Sequence, residues 1–372
     1  MFVTFFPHLI AGPIVHHKDL IPQFEDKSVY KLNYESIVVG LTIFSIGLCK
    51  KVLLADGVAG FANPVFDAVA GGESVTLIEA WVGALAYTFQ LYFDFSGYSD
   101  MAIGAARLFG IKFPLNFNSP YKSANIVDFW RRWHITLSHF LRDYLYIPLG
   151  GNRKGKFRRY TNLMITMLLG GLWHGAGWTF VIWGGLHGIY LVINHQWHSL
   201  RRSLGHDLSK SHWWSRGLAC LVTFLAVVVG WVFFRANHIN AAIAILKGMS
   251  GANGISLPLF LSTKLGFMQN WGIQFNGVMQ VTGLPLFDSL AWIFCLLLLV
   301  WFAPNTQEIM QKYDPALDAD LPATSPGTNS YLWQKLRWRP TVIFGTILGV
   351  LVFICIKNLL SAPATEFLYF NF

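Results

Sequence analysis

The chain has 372 residues with a formal charge of +9, yet only 13% of its residues are charged and 54% are hydrophobic. That charged share is about half of what a soluble domain carries, which excludes an ordinary soluble fold. The cations cluster at the ends of apolar runs and form no continuous basic face, which excludes nucleic-acid binding and fits positive-inside membrane topology.

In chain order, residues 36–49 form an apolar run ending in Lys50-Lys51, and residues 80–93 form a second that meets the polar knot 94–100. Residues 101–111 continue with Arg107 and end at Lys112. Residues 128–148 carry too many charges for a lipid-exposed span, but Trp130, Trp133 or His134, Leu137, Leu141 and Leu145 recur at helical spacing. The spacing predicts one amphipathic helix, with Arg131, Arg132 and Arg142 facing water, lipid phosphate or an anionic ligand, stopped by Pro148 and Gly150-Gly151. The uncharged runs 217–234, 289–307 and 340–356 are each long enough to span a bilayer. Residues 251–283 and 304–339 read as extramembrane connectors. The expected fold is all-α: one polytopic membrane bundle over residues 1–372, with seven to nine embedded helices and re-entrant or broken helices around a central cavity. Fifteen Trp and 31 Phe fit interfacial belts and lipid-facing surface, and the four cysteines read as small buried hydrophobes.

Residues 160–200 contain no Asp, Glu, Lys or Arg over 41 positions, with Leu172-Trp173-His174-Gly175 near the middle. Both flanks are basic: Arg153, Lys154, Lys156, Arg158 and Arg159 before the run, and Arg201, Arg202, Lys210 and Arg216 after it. Both ends are therefore cytoplasmic and the run is a hairpin with His174 near its tip. At 1.5 Å per residue, His174 stands about 22 Å along a helix from Arg159, past the midplane of a core roughly 30 Å thick. An imidazole there suits general-base chemistry, and a glycine-lined break at that depth must line a cavity. The alternative is that His174 hydrogen-bonds a neighbouring helix while Gly170, Gly171, Gly175 and Gly177 pack helices together. Asp94 and Asp100 are expected to be paired, near the surface or facing the cavity. His195 and His198 have ligand spacing, but no Cys, Asp or Glu stands nearby, so no metal is expected and interfacial histidines explain them; His187 packs against a neighbour.

Four stretches resemble, in order, the signatures of bacterial membrane-bound O-acyltransferases. They are Phe6-Pro7-His8-Leu9-Ile10-Ala11-Gly12-Pro13-Ile14, Tyr92-Phe93-Asp94-Phe95-Ser96-Gly97-Tyr98-Ser99-Asp100, Phe129-Trp130-Arg131-Arg132-Trp133-His134-Ile135-Thr136-Leu137-Ser138 and Leu172-Trp173-His174-Gly175-Ala176-Gly177-Trp178. The likeness is greatest to the branch that O-acetylates alginate and peptidoglycan, and the aromatic terminus 367–372 shares it. The resemblance implies a multi-pass inner-membrane enzyme with no bound cofactor. It would move an acyl group from a cytoplasmic thioester, such as acetyl-CoA or an acyl carrier, to a hydroxyl on an exported polysaccharide or a periplasmic acetyltransferase partner. His174 maps onto the family's catalytic histidine and His134 onto its second characteristic one, while Arg131, Arg132 and Asp94 are candidate substrate-binding residues. Two further readings stay open: a transporter or scaffold with no chemistry of its own, and D-alanyl transfer to teichoic acid. The family carries helices ahead of the Phe-Pro-His-Leu segment, so this chain is expected to lack them. Positive-inside counting from Lys50-Lys51 expects residues 1–35 outside the cell.

Overall fold

The computed structural model describes residues 4–8, 12–207, 212–317, 338–361 and 368. Helix α1, His17–Glu25, precedes a long rod made of α2, Tyr34–Cys49, a π-helical segment, Lys50–Ala55, and α3, Asp56–Ala70. Then come α4, Leu77–Leu108, two short helices α5, Ile126–Trp130, and α6, Ile135–Leu141, and a second π-helical segment, Arg142–Tyr146. Next are α7, Gly155–His174, α8, Trp178–Ser203, α9, Trp213–Arg235, and α10, Ile239–Met249. A loop with a two-residue parallel ladder and the short α11, Ser262–Leu265, leads to α12, Leu286–Phe302, α13, Thr306–Met310, and α14, Val342–Ser361.

The protein is a multi-pass membrane protein of helices. Among the described residues three helical spans are long and apolar enough to cross a membrane, residues 34–70, α9 and α14, and α12 with α13 makes a fourth bent by 48°. Helices α4, α7 and α8 are long too but carry polar groups, which they turn inward: Glu79, Asp94, Asp100, Arg107, His174 and His187 are all buried. This polar interior is why spans counted by hydropathy fall short of the seven to nine expected.

Two antiparallel pairs organise the bundle, both joined through glycine. Gly40 lies against the Gly104 carbonyl and Gly47 against the Gly97 carbonyl, so α2 and α4 touch backbone to backbone. In the second pair Gly171 meets the Phe180 carbonyl and Gly184 meets the Met167 carbonyl, closing α7 on α8. Small residues let membrane helices approach this closely, where dispersion and polar contacts replace the hydrophobic driving force. The second pair is the hairpin expected for residues 160–200, with its two basic flanks at one end.

Several expectations need correction. Lys50 and Lys51 do not end a helix at a cytoplasmic loop. They sit in mid-rod, where Lys50 Nζ lies 2.6 Å from Asp100 and Lys51 Nζ lies 2.6 Å from Asp94 and 2.8 Å from Asp56. Nor do residues 94–100 interrupt anything, since α4 runs through them unbroken. Counting sidedness from the lysines therefore fails. The Gln23 side chain bonds Lys112 N and O, and His16 stacks on Tyr144, so the segment around α1 lies at the end of the bundle shared by residues 112 and 144. Residues 128–148 are not one helix, because the chain breaks between α5 and α6. The start of the second connector is not extramembrane either: Asn305, Thr306 and Gln307 are buried, and Thr306 Oγ1 donates to Asp100 at 2.6 Å. Of the cysteines only Cys355 is fully buried; Cys295 is exposed.

Candidate functional site

His174 is the last residue of α7, and the chain passes through Gly175-Ala176-Gly177 before α8 begins at Trp178. The imidazole is 5% exposed and enclosed by rings: Trp173 at 5.0 Å, Phe234 at 5.1 Å and Trp183 at 5.2 Å. A side chain on Gly175 would strike the Phe180 ring at 2.6 Å, so glycine is required there for space. The glycines around His174 thus pack the hairpin, and the break they allow places the imidazole.

His134 is held differently. It occupies the left-handed region with φ 41° and ψ 55°, between α5 and α6. For a residue with a Cβ this costs roughly 1–3 kcal/mol and persists only where the surroundings impose it. The extended strip around Asn116 imposes it. Ile135 N donates to Asn116 O at 3.0 Å, and Asn118 N donates to Arg132 O at 2.9 Å. Asn116 Oδ1 accepts from Thr136 Oγ1 at 2.9 Å and lies 3.0 Å from His134 Nδ1, while Asn116 Nδ2 donates to Ser99 Oγ at 3.1 Å. With a carbonyl oxygen as its partner, Nδ1 carries the proton and Nε2 keeps its lone pair. The ring is sandwiched by Phe95 at 4.7 Å and Phe117 at 6.4 Å, and His134 and His174 are close enough to interact electrostatically.

A third histidine stands behind them. His187 on α8 is fully buried, with neither ring nitrogen hydrogen-bonded to a described residue, and is packed among Trp183 at 5.0 Å, Trp130 at 5.2 Å and Phe129 at 6.0 Å. Trp183 touches both His174 and His187, and Trp231 packs on Trp183 and Trp133. One aromatic layer therefore joins the three histidines.

Cavities open on either side of this layer. The inner one, about 670 Å³, reaches from Arg131, His139 and Arg142 past Thr136 to Thr166 and Met167 on α7, with His195 in its wall. The outer one, about 400 Å³, lies between residues 177–179 and residues 237–240. Of the candidate substrate-binding residues, Arg131 lines the inner cavity, and no hydrogen bond or ion pair to a described residue engages its guanidinium. Arg132 instead pairs with Asp128 at 2.9 Å and donates to Asn118 O at 3.3 Å, which ties α5 to the strip that holds His134. Asp94 lines none of these cavities: its carboxylate is 2% exposed, is paired with Lys51 and receives the backbone N–H of Leu368. The rest of the aromatic terminus lies outside the described residues. Arg142 is forked onto Asp143 at 2.7 and 3.1 Å, which lowers the Asp143 carboxyl below its ordinary range.

Sequence reasoning missed Asn116, Ser99 and Arg131's separation from Arg132. The signal for Asn116 was faint: an amide flanked by Leu115 and Phe117 in a stretch that reads as a linker.

The sequence profile of MBOAT, the membrane-bound O-acyltransferase family, matches residues 1–231. The chain is 57% identical over 258 residues to the "Peptidoglycan O-acetyltransferase" of Helicobacter pylori, covering 69% of this chain and 47% of that protein. It is 51% identical over 241 residues to the "Probable alginate O-acetylase AlgI" of Pseudomonas putida, covering 65% and 46%. A "Teichoic acid D-alanyltransferase" of Streptococcus thermophilus is 29% identical over 248 residues, covering 63% and 60%. The chain spans about half the length of the first two.

Proposed function

The chain belongs to the membrane-bound O-acyltransferase family, and from that premise we propose that it moves an acyl group, most simply acetyl, across the membrane layer that holds His174. The donor is a cytoplasmic thioester, such as acetyl-CoA or an acyl carrier. The acceptor is a hydroxyl on an exported polysaccharide or on a periplasmic acetyltransferase partner. Relatives named for alginate and peptidoglycan acetylation favour a glycan as the final acceptor, and the one named for D-alanyl transfer runs the same reaction type with another acyl group.

The donor enters by the inner cavity, where Arg131 meets the phosphates of coenzyme A or a phosphopantetheine arm. His174 removes the proton of the acceptor hydroxyl as its oxygen bonds to the thioester carbonyl carbon. The tetrahedral adduct expels the thiolate, and the imidazolium returns its proton to the sulfur. No net proton is consumed. His134, kept neutral at Nε2 and oriented by Asn116, stands beside the base without a charge that would oppose the imidazolium. Arg132 holds the broken α5–α6 segment, and Asp94 is a structural partner of Lys51.

The observation that carries this reading is the position of His174. The inner cavity reaches Met167 on α7, the outer one is lined from Gly177 onward, and His174 stands in the chain between those two positions. A transporter would need no base there. Radiolabelled acetyl incorporation into extracellular polymer, by cells carrying wild-type protein or His174→Ala at matched membrane abundance, tests it. Near wild-type incorporation in His174→Ala returns the chain to the transporter or scaffold reading.

A further inference from the structure

Residues 251–283 read from sequence as an extramembrane connector, and the structure gives part of that loop another neighbour. We propose that residues 259–271 form an in-plane anchor in the headgroup layer of the membrane, on the side where α4 begins, with Phe260, Phe267 and Trp271 set among the upper acyl carbons. The proposal is independent of the acyltransferase reading, because it concerns what the loop touches and not what the bundle transfers.

The loop is fastened on both sides of the segment. Ile255 and Ser256 pair with Ile273 and Gln274, Gly254 O accepts from Leu77 N at 3.2 Å, and Val281 N donates to the Glu79 carboxylate at 3.0 Å. Between these ties the chain makes a helical excursion that packs on itself and on the ladder: a 3₁₀ turn, Leu259–Leu261, then α11, then a second 3₁₀ stretch, Gly266–Trp271. It is too short to cross a bilayer. Its aromatic side chains stay outside, with Phe260 62% exposed, Phe267 58% and Trp271 71%. Bare in water, they would forfeit the burial that stabilises apolar side chains elsewhere.

The neighbouring helix shows what covers them. Helix α12, the apolar arm of the bent span, carries Phe287, Leu290, Phe294, Leu298 and Phe302 on one exposed stripe, the face such a helix turns to lipid. Phe260 stacks on Phe287 at the start of that stripe with 6.5 Å between centroids, and Trp271 meets Phe267 edge-on at 5.8 Å. The lipid-facing surface of α12 therefore continues onto the segment. Phe260, Lys264, Phe267 and Trp271 follow at intervals of four, three and four, the repeat of one helix face. The exposed Gln269 stands two residues from both Phe267 and Trp271 and so turns to the opposite side, toward water.

Charge favours lipid over a protein partner. Residues 251–287 hold no Asp or Glu to repel phosphates, and Lys264 can run its stem along the apolar stripe and place its ammonium at phosphate level. Trp and Phe beside the end of a span are the side chains that settle in this layer.

The test reads depth in the membrane. The full chain, with its four native cysteines replaced, is reconstituted in vesicles of three parts phosphatidylcholine to one of phosphatidylglycerol, and a single cysteine at Phe267, Gln269 or Phe294 carries an environment-sensitive NBD dye. At 267 the dye should emit at shorter wavelength than at 269 and resist aqueous iodide. A lipid spin-labelled at acyl carbon 5 should quench it more than one labelled at carbon 12, since an interfacial face reaches only about 5–10 Å into the headgroup and acyl boundary. At 294, within the span, the carbon-12 label should be the stronger quencher, and at 269 only iodide should quench. Phe260→Ser with Trp271→Ser should raise iodide quenching at 267 to the level seen at 269, in protein that still elutes as a single species. Equal iodide quenching at 267 and 269 without those substitutions overturns the anchor. Shielding from iodide with no quenching by either lipid label also overturns it and makes this face a protein-docking surface. Lipid quenching at 267 that survives the double substitution removes the role given to the two rings.

Discussion

The α2–α4 pair and the α7–α8 pair are built alike and do opposite things with their polar residues. Each is an antiparallel contact made close by glycine, and each carries ionisable groups at mid-depth. In α2–α4 the charges answer one another: Lys50 with Asp100, Lys51 with Asp94 and Asp56, and Thr306 on Asp100. Both helices run through the cluster, and the π-helical turn at Lys50–Ala55 lets two consecutive lysines face the same partner helix. In α7–α8 the chain breaks beside the histidine and the helices part around it. A charge cluster inside continuous helices supports the fold, whereas irregular backbone at a break is where membrane proteins line cavities.

The largest effect that separates the two pairs should come from the hairpin. General-base assistance is worth roughly 10²–10⁴ in rate, about 3–5 kcal/mol of barrier, so His174→Ala should lose nearly all acyl transfer while protein level holds. Initial rates of acetyl transfer in proteoliposomes, normalised to protein, give the number. A drop in abundance that matches the drop in rate would place His174 with the structural pair.

The lysine cluster should fail in the other direction. Lys51→Met leaves Asp94 as an uncompensated buried carboxylate and Asp56 without its partner, which costs about 3–5 kcal/mol, so the protein should be largely degraded or melt earlier. Lys51→Met with Asp94→Leu should recover much of the abundance, since removing both members of a buried pair is far cheaper than removing one. Thermal unfolding in detergent, read by size exclusion, decides it. Normal stability with lost activity in the single variant would restore Asp94 as a substrate-binding residue.

Asn116 offers an intermediate case, because it is structural in its contacts and acts through His134. Asn116→Ala removes the acceptor of His134 Nδ1 and Thr136 Oγ1, a loss of about 1–3 kcal/mol, or roughly tenfold to hundredfold in rate. As a positioning residue it should lower kcat more than it raises KM, and it should shift the acid limb of the pH–rate profile by freeing the imidazole tautomer. An unchanged profile with a lowered melting temperature would make it a packing residue only.

The sequence revealed the hairpin because its signal is compositional: 41 uncharged residues between two basic flanks fix both length and parity. It singled out His174 because a titratable group in such a run is costly unless used or satisfied. It did not reveal the break at His134, where no glycine or proline marks the turn and the left-handed residue is imposed by Asn116, 18 positions earlier. Nor did it reveal the pairing of Lys50 and Lys51 with aspartates 43 and 50 residues on. Charges at the end of an apolar run look the same whether they meet water or a neighbouring helix. Only the tertiary partner tells them apart.

That ambiguity gives the smallest and sharpest test, because reading the lysines as a loop and reading them as ion pairs put the first residues on opposite faces. If Lys50 and Lys51 marked a cytoplasmic loop, Lys27 would be outside. With the rod continuous, Gln23 of α1 bonds residue 112 and His16 just before α1 stacks on Tyr144, at the end of the bundle from which α7 rises, so Lys27 shares a face with Lys154. The Leu77 end of α4, bonded to Gly254 O, and the loop carrying Gln269 lie opposite. In a background with the four native cysteines replaced, Lys27→Cys, Lys154→Cys and His206→Cys should resist an impermeant thiol reagent on intact cells, and Gln269→Cys should react. No change in activity is expected, since none of the four positions lines either cavity. Labelling of Lys27→Cys together with Gln269→Cys would show that the basic clusters and the first helix lie on different sides. The continuous rod, and with it the structural role given to the buried lysines, would then be wrong.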